Sequence, residues 1–258
     1  MPRKTASGPL GPPTRMPQFS RPACYSPPMK DLTVVFDLDG TLVDTAPDLV
    51  GATNHALSDV GLPPVPSPVL RPWISFGARR MIVEALAHAN VPMPDMEVDR
   101  LLGLFLGYYE ENIARESRPF PGAVDAILAL KDEGATLAVC TNKRESLSRS
   151  LLRALDLDRH FHGLAGRDTF PVSKPHPDHL LGAVRLAGGN PAAAVMVGDS
   201  DVDIRTAKAA RVPVVAVTFG YTATPVADLD PDRVIDHYGA LIPAIRDLHA
   251  VRLQNSVL

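Results

Sequence analysis

Short apolar runs alternate with helical patterns along most of the chain. The run Thr33–Phe36 is followed by similar runs at residues 135–140, 193–197 and 212–219. Continuous runs of this kind are typical of strands buried on both faces of a parallel sheet. Segments with helical spacing lie between them, at residues 123–133, 144–155, 177–187 and 201–210. The alternation predicts an α/β fold with a doubly wound, Rossmann-like parallel sheet core.

Residues 46–117 interrupt this alternation, because they contain helical patterns and no strand pattern. Pro47 suits the first turn of a helix whose apolar stripe ends before Gly61. A longer stripe runs from Val98 to Ile113 in steps of three and four residues. We therefore predict an all-helical cap domain that is inserted after the first strand. The expected segments are the cap at 46–117 and the core at 29–45 and 118–258.

The first 28 residues differ in composition from the rest of the chain. They hold eight of the 26 prolines and four basic residues, but no Asp or Glu. They also lack the apolar core of a secretory signal. Such a segment cannot offset its ordering entropy by burial, so we predict a disordered, Pro-rich arm at residues 1–28. An acid-poor transit peptide and a translation start at Met29 stay open as alternatives.

Composition and charge exclude several classes of protein. Apolar residues make up 45% and charged residues 21%, as in folded globular proteins. No apolar run approaches the roughly 18 residues of a membrane span, and a net charge of −3 argues against a broad basic face for nucleic acid. Two cysteines, Cys24 and Cys140, are too few for a disulfide framework or a cysteine-rich zinc site, which favours a reducing cytoplasm. We interpret Cys140, in a predicted strand, as a buried structural thiol.

Two carboxylates, Asp37 and Asp39, directly follow the first predicted strand. Ligands of open α/β sheets bind outside the carboxyl ends of strands, and Gly40 gives the chain freedom to turn away there. A calcium loop also begins with Asp-x-Asp, but it needs an oxygen ligand at position 5, Gly at 6 and Glu at 12. Those positions hold Thr41, Leu42 and Asp48. A calcium loop is therefore excluded, and a merely structural loop stays open.

Three further polar segments fall where the same sheet would end. Thr141 and Asn142 follow the strand at 135–140, and Lys174 lies in a loop before a helix. An acidic segment with Asp199 and Asp203 follows the strand at 193–197. Each segment alone could be a helix cap or a solvated surface. Together, at the carboxyl ends of neighbouring strands, they predict a site.

The four segments resemble the haloacid-dehalogenase-like superfamily of phosphohydrolases, and the resemblance covers residues 31 to about 225. Within that superfamily, further motifs are similar to those of the phosphoglycolate phosphatases. They are Asp44-Thr45-Ala46-Pro47-Asp48-Leu49, Arg71-Pro72-Trp73, Lys174-Pro175-His176-Pro177 and Phe219-Gly220-Tyr221.

The resemblance implies covalent catalysis. Asp37 is expected to attack phosphorus and form an aspartyl-phosphate. Asp39 is expected to protonate the leaving alkoxide and then to activate water. Thr141, Asn142 and Lys174 are expected to hold the phosphoryl oxygens.

The resemblance also implies a Mg²⁺ cofactor, which prefers oxygen ligands. Asp37 and Asp199 are expected to supply carboxylates, and Asp39 its backbone carbonyl. Asp203 is expected to support this shell from outside.

The cap is expected to close over a small substrate and exclude water. The candidates to meet a substrate carboxylate are Arg71, Arg79 and Arg80, for which an ordinary solvated helix charge is an equally open reading. His176 and His179 lie one helical turn apart without a third ligand, and we interpret them as surface residues. Arg211 stands where the superfamily usually ends a helix with Gly, at an expected cost of about 1 kcal/mol.

The resulting expectation is a cytoplasmic, Mg²⁺-dependent phosphatase of carbohydrate metabolism. Its partner would be a small phosphorylated metabolite, with 2-phosphoglycolate favoured, and neither nucleic acid nor a membrane is expected. Alternatives are another small-metabolite phosphatase, a sugar-phosphate mutase on the same scaffold, and a non-enzymatic binding protein. Dehalogenation is less favoured, because that branch does not keep an acid at the position of Asp39. Monomer and homodimer both stay open.

Overall fold

The computed structural model describes residues 29–255, with the side chains of residues 29–250. The arm predicted at residues 1–28, and Cys24 within it, lie outside the described residues. Among the described residues, no helix combines the length and the apolar character that crossing a bilayer requires.

Strands and helices alternate through most of this range. The strands are β1 (Thr33–Phe36), β2 (Val43–Asp44), β3 (Arg118–Pro119), β4 (Thr136–Cys140), β5 (Gly163–Ala165), β6 (Ala194–Gly198), β7 (Val214–Val217) and β8 (Arg233–Ile235). The helices are α1 (Ala46–Ser58), α2 (Ser67–Leu70), α3 (Ala78–His88), α4 (Asp95–Glu111), α5 (Ala123–Asp132), α6 (Glu145–Ala154), α7 (Pro177–Leu186), α8 (Asp201–Ala210) and α9 (Leu241–Asn255). A 3₁₀ helix, Arg71–Phe76, joins α2 to α3.

Six strands form one parallel sheet in the order β5-β4-β1-β6-β7-β8. The central strand β1 pairs with β4 on one side and with β6 on the other, so that Phe36 lies level with Val139 and Val197. The segments after β1, β4 and β6 therefore leave the sheet at the same edge. The predicted doubly wound α/β fold is confirmed.

The sheet separates two apolar layers. Val34 and Phe36 of β1 pack into one layer with α5 and α9, whereas Val35 packs into the other. That second layer includes Leu180 of α7 and Ile204 of α8. Because alternate residues of a strand point to opposite faces, a continuous apolar run is what a doubly covered sheet requires.

The helices α1 to α4 form a helical cap with its own apolar core. The stripe predicted on α4 is buried there at Val98, Leu101, Phe105 and Tyr109. A short antiparallel ladder between β2 and β3 stands where the chain enters and leaves the cap. The predicted cap limits, residues 46 and 117, each lie beside one strand of this ladder.

The buried carboxylate of Asp48 ties the two connections of the cap together. It accepts hydrogen bonds from the backbone N of Glu116 (3.0 Å) and of Ser117 (2.8 Å), and from the Ser117 hydroxyl (2.6 Å). We expect Asp48→Ala to lower the free energy of unfolding by about 3 kcal/mol, because these buried donors lose a charged acceptor. Urea unfolding followed by circular dichroism measures the change. The exposed Asp132→Ala serves as control, and equal losses in the two variants would contradict this role.

Two parts of the fold were not predicted. The strands β5 and β8 have three residues each, and the β2–β3 ladder has two on each side, so none of them carries a measurable periodicity. The helix α8 ends at the position where the superfamily usually has Gly. Arg211 occupies this position and adopts the left-handed conformation, with a φ of 56°.

Candidate active site

The loop after β1 turns sharply beneath the edge of the sheet. Gly40 has a φ of +84°, and a Cβ at this position would lie 2.5 Å from Asp199 Oδ2. Glycine is therefore required both by the backbone conformation and by the closeness of this carboxylate. The turn leaves Asp37 and Asp39 buried at the end of the central strand.

Asp37 shares a buried cation with Asp203. Lys174 Nζ lies 2.8 Å from Asp37 Oδ1 and donates a hydrogen bond of 2.6 Å to Asp203 Oδ1. Burial raises the pKa of Asp37 to about 7, and the charge of Asp203 acts in the same direction, while Lys174 opposes both. Burial alone would lower the pKa of Lys174, but the two carboxylates raise it, so the ammonium stays charged.

Asp199 and Asp203 are held by the chain around them. Asp199 accepts hydrogen bonds from the Thr41 hydroxyl (2.9 Å) and from the backbone N of Tyr221 (2.8 Å). Asp203 Oδ2 accepts one from the Ser200 hydroxyl (2.6 Å), and this pair forms the capping box of α8. Their orientation is therefore built into the folded chain.

The three carboxylates Asp37, Asp199 and Asp203 fit a divalent cation. One oxygen of each lies within 4.8 Å of the others. Burial raises the pKa of Asp199 well above its usual value, and the charges of Asp203 and Asp37 raise it further. Lys174 offsets only part of this negative charge. Buried oxygen ligands with excess negative charge are the donor set that a hard divalent cation requires.

Asp39 has a different environment from Asp37. Its carboxylate accepts hydrogen bonds from Lys143 Nζ (2.9 and 3.1 Å) and from the Thr45 hydroxyl (2.7 Å). Neither partner was predicted. Both carried a signal, because Lys143 follows Thr141 and Asn142 directly and Thr45 lies within the motif Asp44-Thr45-Ala46-Pro47-Asp48-Leu49.

A cavity of about 220 Å³ lies between the core and the cap, and both Asp37 and Asp39 line it. Thr141 and Asn142, predicted to bind phosphate, also line it. The Asn142 side chain reaches across to the cap and donates a hydrogen bond of 3.2 Å to the Ser75 carbonyl. The cap wall of the cavity is largely apolar, with Leu49, Met81, Leu102, Phe105 and Leu106.

The three predicted cap arginines occupy different places. Arg79 lines the cavity, but its guanidinium pairs with Asp95 (2.6 Å) and Asp99 (3.0 Å). The guanidinium of Arg80 lies over the Trp73 ring, and that of Arg71 lies over the Tyr221 ring, each 4.8 Å from the ring centroid. Arg71 and Arg80 are not among the residues that line this cavity.

The surface interpretation holds for His176 and is wrong for His179, which is fully buried. His179 Nδ1 accepts a hydrogen bond of 3.2 Å from the backbone N of Lys174, and Nε2 lies 2.9 Å from the Gly166 carbonyl. Burial lowers its pKa to about 4, so the ring is neutral and Nε2 donates. Cys140 is buried as predicted, and burial raises its pKa to about 12.

Comparison with known proteins agrees with this site. Residues 34–217 match the family model of haloacid dehalogenase-like hydrolases. A protein of Mesorhizobium japonicum named phosphoglycolate phosphatase is 50% identical over 81% of this chain and 92% of its own length. One of the same name from Agrobacterium fabrum is 46% identical over 85% and 94%. The crystal structure of a predicted phosphoglycolate phosphatase from Haemophilus somnus 129pt superposes with a TM-score of 0.77 at 34% identity, covering 83% of this chain and 97% of that one.

Proposed function

Because the chain belongs to the haloacid dehalogenase-like hydrolases, we propose that it is a Mg²⁺-dependent phosphatase that converts 2-phosphoglycolate to glycolate and phosphate. Hydrolysis of a phosphoric monoester is the activity for which the relatives are named, and this chain is a phosphatase of that kind. The observation that carries the proposal is the pair of buried carboxylates, Asp37 and Asp39, which line one cavity in different environments.

The first half of the reaction transfers the phosphoryl group to the enzyme. A carboxylate oxygen of Asp37 attacks phosphorus, and the bond between phosphorus and the ester oxygen breaks. Asp39 donates its proton to that oxygen, so that glycolate leaves as an alcohol. Two carboxylates suit these roles when their surroundings differ, as they do for Asp37 beside Lys174 and Asp39 beside Lys143.

The second half returns Asp37 to its starting state. Asp39, now a carboxylate, takes a proton from a water molecule whose oxygen attacks the phosphorus of the aspartyl-phosphate. The bond between phosphorus and Asp37 breaks, and inorganic phosphate leaves. Thr141, Asn142 and Lys174 hold the phosphoryl oxygens during both halves, since phosphoryl transfer depends mostly on positioning and charge neutralisation.

Asp37, Asp199 and the backbone carbonyl of Asp39 would hold Mg²⁺. Asp203 belongs to the same carboxylate cluster, but its two oxygens accept from Lys174 and Ser200, so it would support the ligands from outside. Bound there, the ion would supply positive charge beside the anionic nucleophile and the phosphoryl group. Lys174 would contribute a second positive charge, because its ammonium contacts both Asp37 and Asp203.

The choice of substrate is supported by the relatives and by the size of the cavity. The proteins from Mesorhizobium japonicum and Agrobacterium fabrum are named for phosphoglycolate. A cavity of about 220 Å³ suits a small metabolite, and the cap beside it would help to exclude bulk water from the ester. We place this activity in carbohydrate metabolism and in the cytoplasm.

Phosphate release from a panel of phosphomonoesters tests the proposal. The panel includes 2-phosphoglycolate, an aryl phosphate and a hexose phosphate, each with Mg²⁺ and with EDTA. We expect 2-phosphoglycolate to give the highest kcat/KM, and its hydrolysis to fall to background in EDTA and to return when Mg²⁺ is restored.

Other outcomes of the panel would change the conclusion. Metal-dependent release with another preferred ester would keep the chemistry and overturn the substrate. Interconversion of sugar-phosphate isomers without phosphate release would instead indicate a mutase. Release that is unchanged by EDTA would contradict the role of the metal.

A further inference from the structure

Lys143 stands between the core and the cap. It is a buried residue of the loop after β4, and its ammonium holds both carboxylate oxygens of Asp39. The same Nζ lies 4.5 Å from the centroid of the Tyr109 ring, which belongs to α4 of the cap. An ammonium carries three N–H donors, so the two oxygens of Asp39 need not take all of them.

The hydroxyl of Tyr109, which is only 1% exposed, interacts with the Lys143 ammonium and has no other hydrogen-bond partner among the described residues. A buried hydrogen-bond donor without an acceptor lowers the stability of the fold, and most buried polar groups in proteins form hydrogen bonds. Tyr109 lines the cavity together with Lys143 and Asp39. Because an ammonium can only donate, the hydroxyl oxygen accepts from Lys143 and its own proton is left without an acceptor, which indicates a polar group of a ligand at this place.

The rest of the cap wall offers no comparable partner for an anion. Its other lining side chains are mainly apolar, and the guanidinium of Arg79 is already paired with Asp95 and Asp99. The carboxylate of Asp37 would repel a second negative charge on the substrate. Of the cations on the core side of the cavity, Arg144 and Arg167 are exposed and Lys143 is buried beside Asp39, whereas Lys174 is engaged by Asp37 and Asp203.

We propose that Lys143 and Tyr109 form the subsite for the carboxylate of the leaving group. This inference rests on the proposed function and deepens it. The carboxylate accepts one hydrogen bond from Lys143 Nζ and one from the Tyr109 hydroxyl, while Lys143 keeps its contact with Asp39. Specificity for an acidic ester thus comes from one residue of the core and one of the cap, and not from the cap arginines.

The arrangement also couples recognition to catalysis. In 2-phosphoglycolate a single methylene group joins the carboxylate to the ester oxygen. A carboxylate held by Lys143 therefore brings the ester oxygen close to Asp39, which is bound to the same ammonium. Loss of the subsite should lower kcat as well as raise KM, because the interaction also orients the reacting atoms.

The test compares 2-phosphoglycolate with ethyl phosphate, which has the same chain length and no carboxylate. In Tyr109→Phe we expect the ratio of kcat/KM values, 2-phosphoglycolate over ethyl phosphate, to fall about tenfold, as for one lost hydrogen bond to a charged group. In Lys143→Met the ratio should fall about a hundredfold, and Lys143→Arg should recover part of it. A purely structural role would lower both activities and leave this ratio unchanged.

Matched controls separate these effects from general damage. Tyr108→Phe changes the neighbouring residue of α4, which stacks on His55, and Lys208→Met removes an exposed lysine that pairs with Asp230. Both should keep the wild-type ratio. Tyr109→Phe removes one interaction of Lys143, whose ammonium keeps both oxygens of Asp39, so its Tm should stay close to the wild-type value even if Lys143→Met is destabilised.

The outcomes distinguish the two proposals. If wild-type protein hydrolyses both esters with Mg²⁺ and the ratio is unchanged in Tyr109→Phe and Lys143→Met, the subsite is wrong and the phosphatase chemistry stands. If wild-type protein prefers ethyl phosphate, the carboxylate subsite and the choice of 2-phosphoglycolate are both overturned. If neither ester releases phosphate, the proposed function fails, and the subsite fails with it.

Discussion

Replacement of Asp37 by Asn is expected to reduce turnover by on the order of 10⁴-fold or more, the scale on which loss of a nucleophile acts. An amide oxygen does not form the acyl-phosphate bond, and Asp39 cannot take over the attack because Lys143 and Thr45 hold it elsewhere in the cavity. The loss should be equal for alkyl and aryl esters, since both need the same nucleophile.

The same substitution should leave the fold intact. Asn has nearly the shape of Asp, and it removes one negative charge from a buried cluster whose burial raises the pKa of Asp37 to about 7. Lys174 keeps its second carboxylate, Asp203, at 2.6 Å and is not left unpaired. We therefore expect a Tm no lower than that of the wild-type protein.

Phosphate release under saturating substrate measures this effect, with circular dichroism to verify the fold. Asp236→Asn is the control, because Asp236 is exposed, does not line the cavity and pairs with the neighbouring His237. Steady-state turnover of Asp37→Asn at a tenth of the wild-type rate would remove Asp37 as the nucleophile. Covalent incorporation of ³²P into this variant from labelled substrate would lead to the same conclusion.

Much of the site could be predicted from the sequence, and the reason lies in the sheet. A strand buried on both faces is a continuous apolar run, so its end is visible as the first polar residue. Asp37, Thr141 and Asp199 each stand at such a point, after β1, β4 and β6. Because parallel neighbours end at one edge, three positions that are distant in sequence could be expected to lie together.

The partners across the cap could not be predicted in the same way. The spacing on α4 shows that Tyr109 is buried, but periodicity gives the buried face and not what that face meets. Its contact with Lys143 depends on how the cap docks on the core. The ion pairs of Arg79 with Asp95 and Asp99 depend likewise on the packing of α3 against α4.

Buried polar residues on helices are a second limit. His179 lies one helical turn after the exposed His176, and yet it is fully buried on α7. It holds the backbone of Lys174 in place, and nothing in the local pattern indicates that role. Only the tertiary structure shows which residues of a helical turn face the sheet.

Asp39→Asn is expected to lose activity by an amount that depends on the leaving group. Glycolate leaves as an alkoxide unless it is protonated, so hydrolysis of 2-phosphoglycolate should slow by roughly 10²–10⁴-fold, the usual worth of a general acid. The p-nitrophenolate ion is stable without a proton, so the first transfer from p-nitrophenyl phosphate should be slowed far less. The amide oxygen of Asn can still accept from Lys143 and Thr45, which preserves the surrounding geometry.

The second half of the reaction gives this variant a distinct kinetic signature. Asp39 also takes the proton of the attacking water, so the aspartyl-phosphate should form and then persist. Rapid mixing with p-nitrophenyl phosphate should therefore show a burst of one p-nitrophenolate per enzyme, followed by slow turnover, whereas Asp236→Asn should behave as wild type. Equal losses on both esters with no burst would contradict an acid–base role. A burst followed by slow turnover would assign the proton transfer of the second step to Asp39. A slow first transfer from 2-phosphoglycolate in the same variant would assign the proton transfer to the leaving group as well.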